Sequence, residues 1–254
     1  MAYANTFKRK EMKFLLDDSQ YELMKESVSQ YMTEDTFGLH TIMNIYLDNL
    51  NDDIIRNSIE KPVYKEKLRL RAYGKAAKDE SMAFLEIKKK FKGVTYKRRL
   101  EGSYKDLFEY VSEGKAPMLP DFEHQQVFRE IDYLVQRMDL IPKVIICYDR
   151  EAFFGNDDKE FRLTFDGNVR FRRNELDLRS GDAGENVVGA PYRIMEVKSA
   201  GSIPIWLVKI LSENGICQGS FSKYAAIYKQ GLNSGLLTVN SKQYLGLKVS
   251  RGLA

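Results

Sequence analysis

The chain has 254 residues, of which 43% are hydrophobic and 30% charged, with a formal net charge of +4. This length fits one large domain or two small ones, and the composition excludes a disordered chain. Nucleic acid is not the expected partner, because a nucleic-acid-binding domain usually carries a larger positive charge. Cys147 and Cys217 lie far apart without a CxxC spacing, which argues against a disulfide framework or zinc site and fits a cytoplasmic protein.

Membrane and export signals are absent from the sequence pattern. No run of 18 apolar residues occurs, and residues 1–13 are polar and basic without an apolar core. The pattern therefore predicts no transmembrane segment of the chain's own and no signal peptide. We expect a soluble, cytoplasmic protein that forms a single domain over residues 1–254.

In the first half of the chain, apolar and polar residues alternate with a period of two, which predicts strands. The predicted strands cover residues 7–16, 40–48, 65–73, 82–91 and 94–101, the last two as a hairpin. Asp17 is predicted to cap a helix that runs to about residue 32. A turn with a short helix is expected over residues 49–57, and another short helix over residues 103–113.

The second half mixes longer helices with further strands. Helices are predicted over residues 121–138, 203–214 and 221–230, and strands over residues 143–154, 161–166, 169–173 and 193–199. Gly167 and Asn168 predict a turn between two of these strands, and residues 174–190 are the most loop-like segment. A meander of strands with inserted helices predicts an antiparallel α+β domain or barrel.

The strand predicted over residues 65–73 has an unusual polar face. Its cations are Lys65, Lys67, Arg69 and Arg71, whereas Leu68, Leu70 and Ala72 alternate with them. A solvated face usually mixes charges of both signs, because like charges on neighbouring positions repel each other. Any one such strand is typical of the solvent face of a half-buried sheet. The pattern recurs in several later strands, and this repetition favours a bound anion.

A barrel would turn these polar faces towards its interior. Two unit charges roughly 6 Å apart repel by roughly 3 kcal/mol at an effective dielectric of about 20, so such an interior requires an anion. Arg and Lys side chains suit phosphate, and the lining suits a linear polyphosphate. Glu11, Glu86 and Glu196 lie among the cations, where they are candidate ligands for Mg²⁺ or Mn²⁺.

Short motifs that occur in order along the chain carry a resemblance. They are Arg9-x-Glu11-x-Lys13-Phe14, Ile45-Tyr46-Leu47-Asp48, residues 65–74, Phe84-Leu85-Glu86-Ile87-Lys88, Lys97-Arg98-Arg99, residues 148–153, residues 161–166, Met195-Glu196-Val197-Lys198 and Phe221-Ser222-Lys223-Tyr224. With these motifs the sequence resembles the VTC domain family, the polyphosphate polymerase domain of the vacuolar transporter chaperone complex. That family lies within the triphosphate tunnel metalloenzyme superfamily.

The resemblance implies a fold, an activity and a set of residues. The fold is a closed antiparallel eight-stranded β-barrel with helices packed around it. The activity is Mn²⁺- or Mg²⁺-dependent transfer of the γ-phosphate of ATP onto a growing polyphosphate chain. The residues implied in catalysis are Lys13, Arg69, Arg71, Lys88, Arg150, Arg162 and Lys198; those implied in substrate binding are Lys97, Arg99, Lys223 and Tyr46; those implied as metal ligands are Glu196, Glu86 and Glu11.

One position departs from the superfamily pattern and leaves alternatives open. Tunnel enzymes that hydrolyse triphosphates begin with Glu-x-Glu-x-Lys, whereas this chain has Arg9 at the first position. An extra cation there favours a polymerase over a metal-dependent triphosphatase. A non-catalytic module that binds polyphosphate, inositol phosphates or RNA is the third alternative. By analogy with relatives that work beside membrane segments, a separate membrane protein is an expected partner, with the chain peripheral at the membrane through it.

Overall fold

A computed structural model describes residues 10–92 and 94–237 of the chain. The strands are β1 (Lys10–Leu16), β2 (Met32–Glu34), β3 (His40–Asp48), β4 (Tyr64–Tyr73), β5 (Met82–Phe91), β6 (Val94–Ser103), β7 (Ile141–Gly155), β8 (Arg162–Arg172), β9 (Glu185–Asn186), β10 (Arg193–Ser199) and β11 (Gln218–Gly219). The helices are α1 (Asp18–Ser29), α2 (Asp53–Ile59), α3 (Tyr104–Glu113), α4 (Phe122–Met138), α5 (Ile205–Glu213) and α6 (Lys223–Asn233). The start of the first predicted strand, residues 7–9, lies outside the described residues.

The strands form a sheet whose hydrogen-bonded order is β11-β1-β10-β8-β7-β3-β4-β5-β6, with β2 beside β7 and β9 beside β8. Neighbours such as β1–β10 and β4–β5 are antiparallel, so the predicted α+β class with an antiparallel sheet is confirmed. The predicted closed barrel of eight strands is wrong: over the described residues the sheet has eleven strands, and its order ends at β11 and β6. The strands β2, β9 and β11 have only two or three residues each, which is too short to show an alternation.

The chain divides into two compact units, each built from three segments. Within the described residues, the first unit consists of residues 10–41, Tyr148–Val169 and Asn186–Lys223, and the second consists of Ile42–Cys147, Arg170–Glu185 and residues 224–237. Each unit has its own cluster of buried apolar side chains. The single domain expected over residues 1–254 stays a prediction. No helix within the described residues is long and apolar enough to cross a membrane.

In the first unit, α1 and α5 pack on β1, β8 and β10. Side chains from all of these elements share one apolar cluster, which includes Phe14, Val28 and Leu207. Asp17 caps α1 as predicted, because its Oδ1 accepts a hydrogen bond from the backbone N–H of Gln20 at 2.8 Å. The helix ends at Ser29, earlier than predicted, because the chain then enters the short strand β2 and pairs with β7.

In the second unit, one face of β4, β5 and β6 packs beneath α3 and α4. The apolar cluster includes Leu70, Leu85 and Leu100 from the strands, and Leu107 and Leu134 from the helices. The alternation predicted for residues 65–73 is confirmed on this face, since Leu68, Leu70 and Ala72 are all fully buried. The cationic residues between them therefore lie on the opposite face of the sheet.

Strand β8 corrects the prediction of two strands separated by a turn at Gly167 and Asn168. It runs without interruption from Arg162 to Arg172. Asn168 adopts a left-handed conformation with φ of 50° inside this strand, which asparagine tolerates better than most residues. A Cβ atom at Gly167 would lie 2.5 Å from Nη1 of Arg193, so the Arg193 side chain would have to shift if Gly167 were replaced.

Candidate functional site

The second unit carries a ladder of charged residues across β4, β5 and β6. The strand register places Lys67, Lys88 and Lys97 in one row, and Arg69, Glu86 and Arg99 in the next. These rows lie on the face opposite to the buried leucines, which defines what we call the ladder face. Like charges directly opposite each other on a sheet are destabilising, so this face is suited to an anionic ligand.

Glu86 is the buried centre of the ladder face, with 3% of its surface exposed. Arg69 donates to its Oε2 from Nε at 2.8 Å and approaches the same atom with Nη2 at 2.7 Å. Lys97 forms an ion pair with Oε1, and Arg71 Nη1 lies 3.8 Å from Oε2. Burial alone would raise the pKa of Glu86, but the three cations outweigh it and hold the pKa well below its usual range. Glu86 therefore stays ionised and orients these cations.

Tyr46 and Asn44 on β3 provide second partners for the two arginines. The Tyr46 hydroxyl accepts a hydrogen bond from Arg69 Nη1 at 3.1 Å, and Asn44 Oδ1 accepts one from Arg71 Nε at 2.9 Å. Burial raises the pKa of Tyr46, but Arg69, Lys67 and Arg71 more than offset this and lower it to about 8. The arginines are thus held at fixed positions from both sides of β4. Asn44 was not predicted as a site residue.

The first unit carries a second charged face, on β1 and β10. The register pairs Glu11 with Lys198 and Lys13 with Glu196. An acid therefore lies opposite a base across the two strands, and acid and base also follow each other along each strand. Lys198 Nζ lies 2.7 Å from Glu196 Oε1, and Lys13 Nζ lies 3.7 Å from Glu196 Oε2. Burial would raise the pKa of Glu196, but these two lysines, with Arg150, lower it to about 2.

Asp166 on β8 anchors two further cations of the first unit and is only 1% exposed. Arg150 donates to it from Nε at 2.6 Å and from Nη2 at 2.8 Å, and Lys223 Nζ donates at 2.7 Å. Burial alone would raise the pKa of Asp166, but Lys223 and Arg150 outweigh this effect and hold the pKa well below its usual range. Lys223 also lies 4.1 Å above the ring of Tyr148. We call the residues Glu11, Lys13, Arg150, Arg162, Thr164, Asp166, Glu196, Lys198 and Lys223 the first-unit face.

Asp166 and Thr164 were not predicted as site residues, although a signal was present. Arg162, Thr164 and Asp166 occupy every second position of β8 and therefore share one face of the strand. The strand register pairs Thr164 with Glu196 and Arg162 with Lys198. Arg162 also lies 4.5 Å above the ring of Phe154. The period of two could therefore have placed Thr164 and Asp166 on the face of the predicted cations, but it could not have shown that Asp166 binds Arg150 and Lys223.

All fourteen predicted site residues lie on these two faces, and their roles remain predictions. Those of the ladder face and its β3 neighbour are Tyr46, Arg69, Arg71, Glu86, Lys88, Lys97 and Arg99. Those of the first-unit face are Glu11, Lys13, Arg150, Arg162, Glu196, Lys198 and Lys223. Arg9, the departure from the hydrolase motif, lies outside the described residues.

The three predicted metal ligands differ in how well they fit a metal. Among the described residues, no group of three or more His, Cys, Asp or Glu side chains could hold an ion. Glu86 does not fit, because two arginines and a lysine surround its buried carboxylate, whereas the ion pairs of Glu196 are with flexible lysines. Glu11 and Glu196 share one face, with Lys13 within 4 Å of both. Two carboxylates fit Mg²⁺ or Mn²⁺ when substrate phosphates and water supply the remaining ligands.

The fold and the two charged faces define a class: an antiparallel α+β protein whose sheet carries clusters of Lys and Arg around buried carboxylates. The fold is similar to that of a Bacillus halodurans protein assigned as an adenylate cyclase, with a TM-score of 0.53, 10% identity and coverage of 84% of this chain and 95% of that chain. A Vibrio parahaemolyticus protein with the same assignment matches with a TM-score of 0.47, 10% identity and coverage of 87% and 97%.

The family follows from the sequence itself. A family model described as "VTC domain" matches residues 8–231, and the chain therefore belongs to the VTC domain family. A similar protein is vacuolar transporter chaperone complex subunit 4 of Schizosaccharomyces pombe, which is 26% identical over a match that covers 62% of this chain. The match spans only 26% of that relative's length.

Proposed function

We propose that this chain is a polyphosphate polymerase that transfers the γ-phosphate of ATP onto a growing polyphosphate chain. The observation that carries the proposal is the pair of buried carboxylates, Glu86 and Asp166, each of which holds arginine and lysine side chains in place. Membership of the VTC domain family supports the same function.

Phosphoryl transfer depends mainly on positioning and on neutralising charge, which these faces are built to supply. An oxygen of the terminal phosphate of the growing chain attacks the γ-phosphorus of ATP. The bond from that phosphorus to the β,γ-bridging oxygen breaks, and ADP leaves with the electron pair. Each unit has an arginine fixed by a buried carboxylate, Arg150 in the first and Arg69 in the second, and either arginine can bind phosphoryl oxygens. No covalent intermediate with the protein is required.

The remaining cations have the simpler task of binding phosphate. Lysines such as Lys13 and Lys198 present compact charges that follow a polyanion as it moves, whereas the arginines offer paired donors in fixed directions. Glu196 and Glu11 are the residues that would hold Mg²⁺ or Mn²⁺, which when bound supplies further neutralisation of the phosphates. The Schizosaccharomyces pombe relative is a subunit of a chaperone complex, so we propose that this chain also works with partner subunits, including a membrane protein.

Incubation of the purified chain with ATP and Mn²⁺ or Mg²⁺ tests the proposal directly. We expect ADP release together with long polyphosphate chains on a gel. Inorganic phosphate without chains would instead show a triphosphatase, and binding of polyanions without turnover would show a non-catalytic module. Lys88→Gln should slow chain synthesis, whereas the control Lys209→Gln should not, because Lys209 is exposed and forms an ion pair along α5 with Glu213.

A further inference from the structure

A hydroxyl group in the first-unit face has no hydrogen-bond partner. Thr164 is 5% exposed, and its Oγ1 atom is buried without any partner among the described residues. Buried polar side-chain atoms are nearly always satisfied in native proteins, and each exception calls for an explanation. One physical explanation is that the partner becomes available only when a ligand is bound.

The position of Thr164 identifies the missing partner. In the antiparallel pairing of β8 with β10, Thr164 lies directly opposite Glu196. Side chains at such directly opposed positions have Cβ atoms roughly 4.5–5.5 Å apart. A threonine hydroxyl next to a carboxylate that extends from the same face of the sheet can therefore reach it by rotation about one or two side-chain bonds.

The Glu196 carboxylate is engaged by lysines in the ligand-free state. Its two oxygens face Lys198 at 2.7 Å and Lys13 at 3.7 Å. A polyphosphate carries far more negative charge than one carboxylate, and lysine side chains are flexible enough to turn towards it. When they do so, Glu196 loses its donors and requires another hydrogen bond to keep its orientation.

We propose that Thr164 is a positioning residue for Glu196: its hydroxyl donates to the Glu196 carboxylate once polyphosphate and the divalent cation are bound. The inference rests on the proposed function, because it assigns Glu196 to the cation that accompanies the phosphates. In the free protein the hydroxyl makes no hydrogen bond to any residue that the structure describes, and in the loaded protein it fixes the direction of the carboxylate. Such outer partners of a metal ligand typically change metal affinity by about 10- to 100-fold.

Two variants and two measurements test the proposal. Thr164→Val keeps the side-chain shape and removes the hydroxyl, and Thr164→Ser keeps the hydroxyl. The Tm of each free protein is measured, together with its affinity for tripolyphosphate with and without Mg²⁺. For Thr164→Val we expect a Tm equal to or above that of the wild type, unchanged affinity without Mg²⁺, and about a tenfold smaller gain on adding Mg²⁺. Thr164→Ser should restore the gain.

A double variant checks that the effect passes through Glu196. In a Glu196→Gln background, Thr164→Val should have no further effect on the Mg²⁺-dependent gain, because the group that it positions is already altered. Lys209→Gln serves as a control in the same unit and should match the wild type in every measurement.

Four results would overturn the inference. A lower Tm of free Thr164→Val would show a structural partner for the hydroxyl, and an equal loss of affinity with and without Mg²⁺ would show direct contact with phosphate. If Thr164→Val left the Mg²⁺-dependent gain in affinity unchanged, Thr164 would have no role in positioning Glu196. If the wild type did not bind tripolyphosphate, the ligand-bound state that the inference requires would not exist. Wild type that binds tripolyphosphate with a Mg²⁺-dependent gain but makes no chains would overturn only the proposed polymerase function.

Discussion

Arg150 binds Asp166 through two parallel hydrogen bonds, from Nε at 2.6 Å and from Nη2 at 2.8 Å. Lys223 donates to the same carboxylate at 2.7 Å, and Asp166 itself is almost completely buried. Two cations are therefore held in position before any ligand arrives. Groups that are locked by neighbouring hydrogen bonds need little rearrangement when they bind a substrate, which strengthens both binding and catalysis.

Asp166→Asn should destabilise the protein by about 3 kcal/mol, because it leaves Arg150 and Lys223 partly buried without their counter-charge. The free energy of unfolding from urea denaturation measures this loss. Asp157→Asn is the matched control, since Asp157 is exposed, and such a substitution should change the free energy by less than about 0.5 kcal/mol. Equal stability of the two variants would show that Asp166 does not anchor the cations.

Glu86→Gln should flatten the dependence of stability on pH in the acid range. The pKa of Glu86 is lower in the folded protein than its ordinary value of 4.5. A lowered pKa means that the unfolded chain binds the proton more tightly, so the carboxylate's contribution is fully present above pH 4.5 and is lost as the pH falls through the folded pKa. Wild type should therefore exceed Glu86→Gln in stability by about 3 kcal/mol at neutral pH.

The difference between wild type and Glu86→Gln should shrink as the pH is lowered from 4.5. Urea denaturation at a series of pH values measures it. Glu113→Gln is the control, because Glu113 is more than half exposed and forms its ion pair with Lys115, which is exposed as well. A difference that stayed constant over the acid range would mean that the charge of Glu86 does not contribute to stability.

Arg69→Ala should weaken tripolyphosphate binding by about 10- to 100-fold, which is the value of one lost hydrogen bond between charged groups. The loss should be larger than for Lys115→Ala, since Lys115 is exposed, follows α3 and forms ion pairs with Glu109 and Glu113 of that helix. Isothermal titration calorimetry gives the affinities, and circular dichroism shows whether each variant is folded. Unchanged affinity in a folded Arg69→Ala protein would mean that the ladder face points to solvent only.

The alternation in residues 65–73 shows how far sequence reasoning reaches. A period of two correctly separates Leu68 and Leu70, which are buried, from Arg69 and Arg71 on the opposite face. A second local rule, the preference of aspartate for the position before a helix, identifies Asp17 as a cap, because capping depends on residues that are close in sequence. Local patterns therefore predicted most of the long strands and the faces that carry the site.

What the sequence could not supply depends on contacts between residues far apart in the chain. Asn44 orients Arg71 from a strand 27 positions away in sequence, and the pattern around Asn44 gives no sign of this. The strands β2, β9 and β11 arise from pairing with longer strands and are too short for periodicity. Closure of the sheet was inferred from a family resemblance, and no local pattern could have tested it.

Tyr46 should titrate at a lower pH than an ordinary tyrosine, because Arg69, Lys67 and Arg71 lower its pKa to about 8 despite its burial. The ultraviolet absorbance of tyrosinate, followed against pH, should show one group with a midpoint near that value. Tyr46→Phe should remove this group. Arg69→Gln should move its midpoint upwards, since one positive charge is lost while burial remains. A wild-type titration without this early group would contradict the placement of Arg69 beside Tyr46.

Glu196→Gln should lower chain synthesis by about a hundredfold or more, which is the size of effect when one group that supports transition-state charge is removed. Glu196 is a proposed ligand of Mg²⁺ or Mn²⁺, and an amide is a weaker ligand than a carboxylate for these hard cations. Binding of tripolyphosphate without metal should stay the same or tighten, because the substitution removes a negative charge that repels the phosphates. ADP release and gel analysis measure turnover, and calorimetry measures binding. Full activity of Glu196→Gln would eliminate Glu196 as a metal ligand, whereas a parallel loss of metal-free binding would instead assign it to the positioning of Lys13 and Lys198.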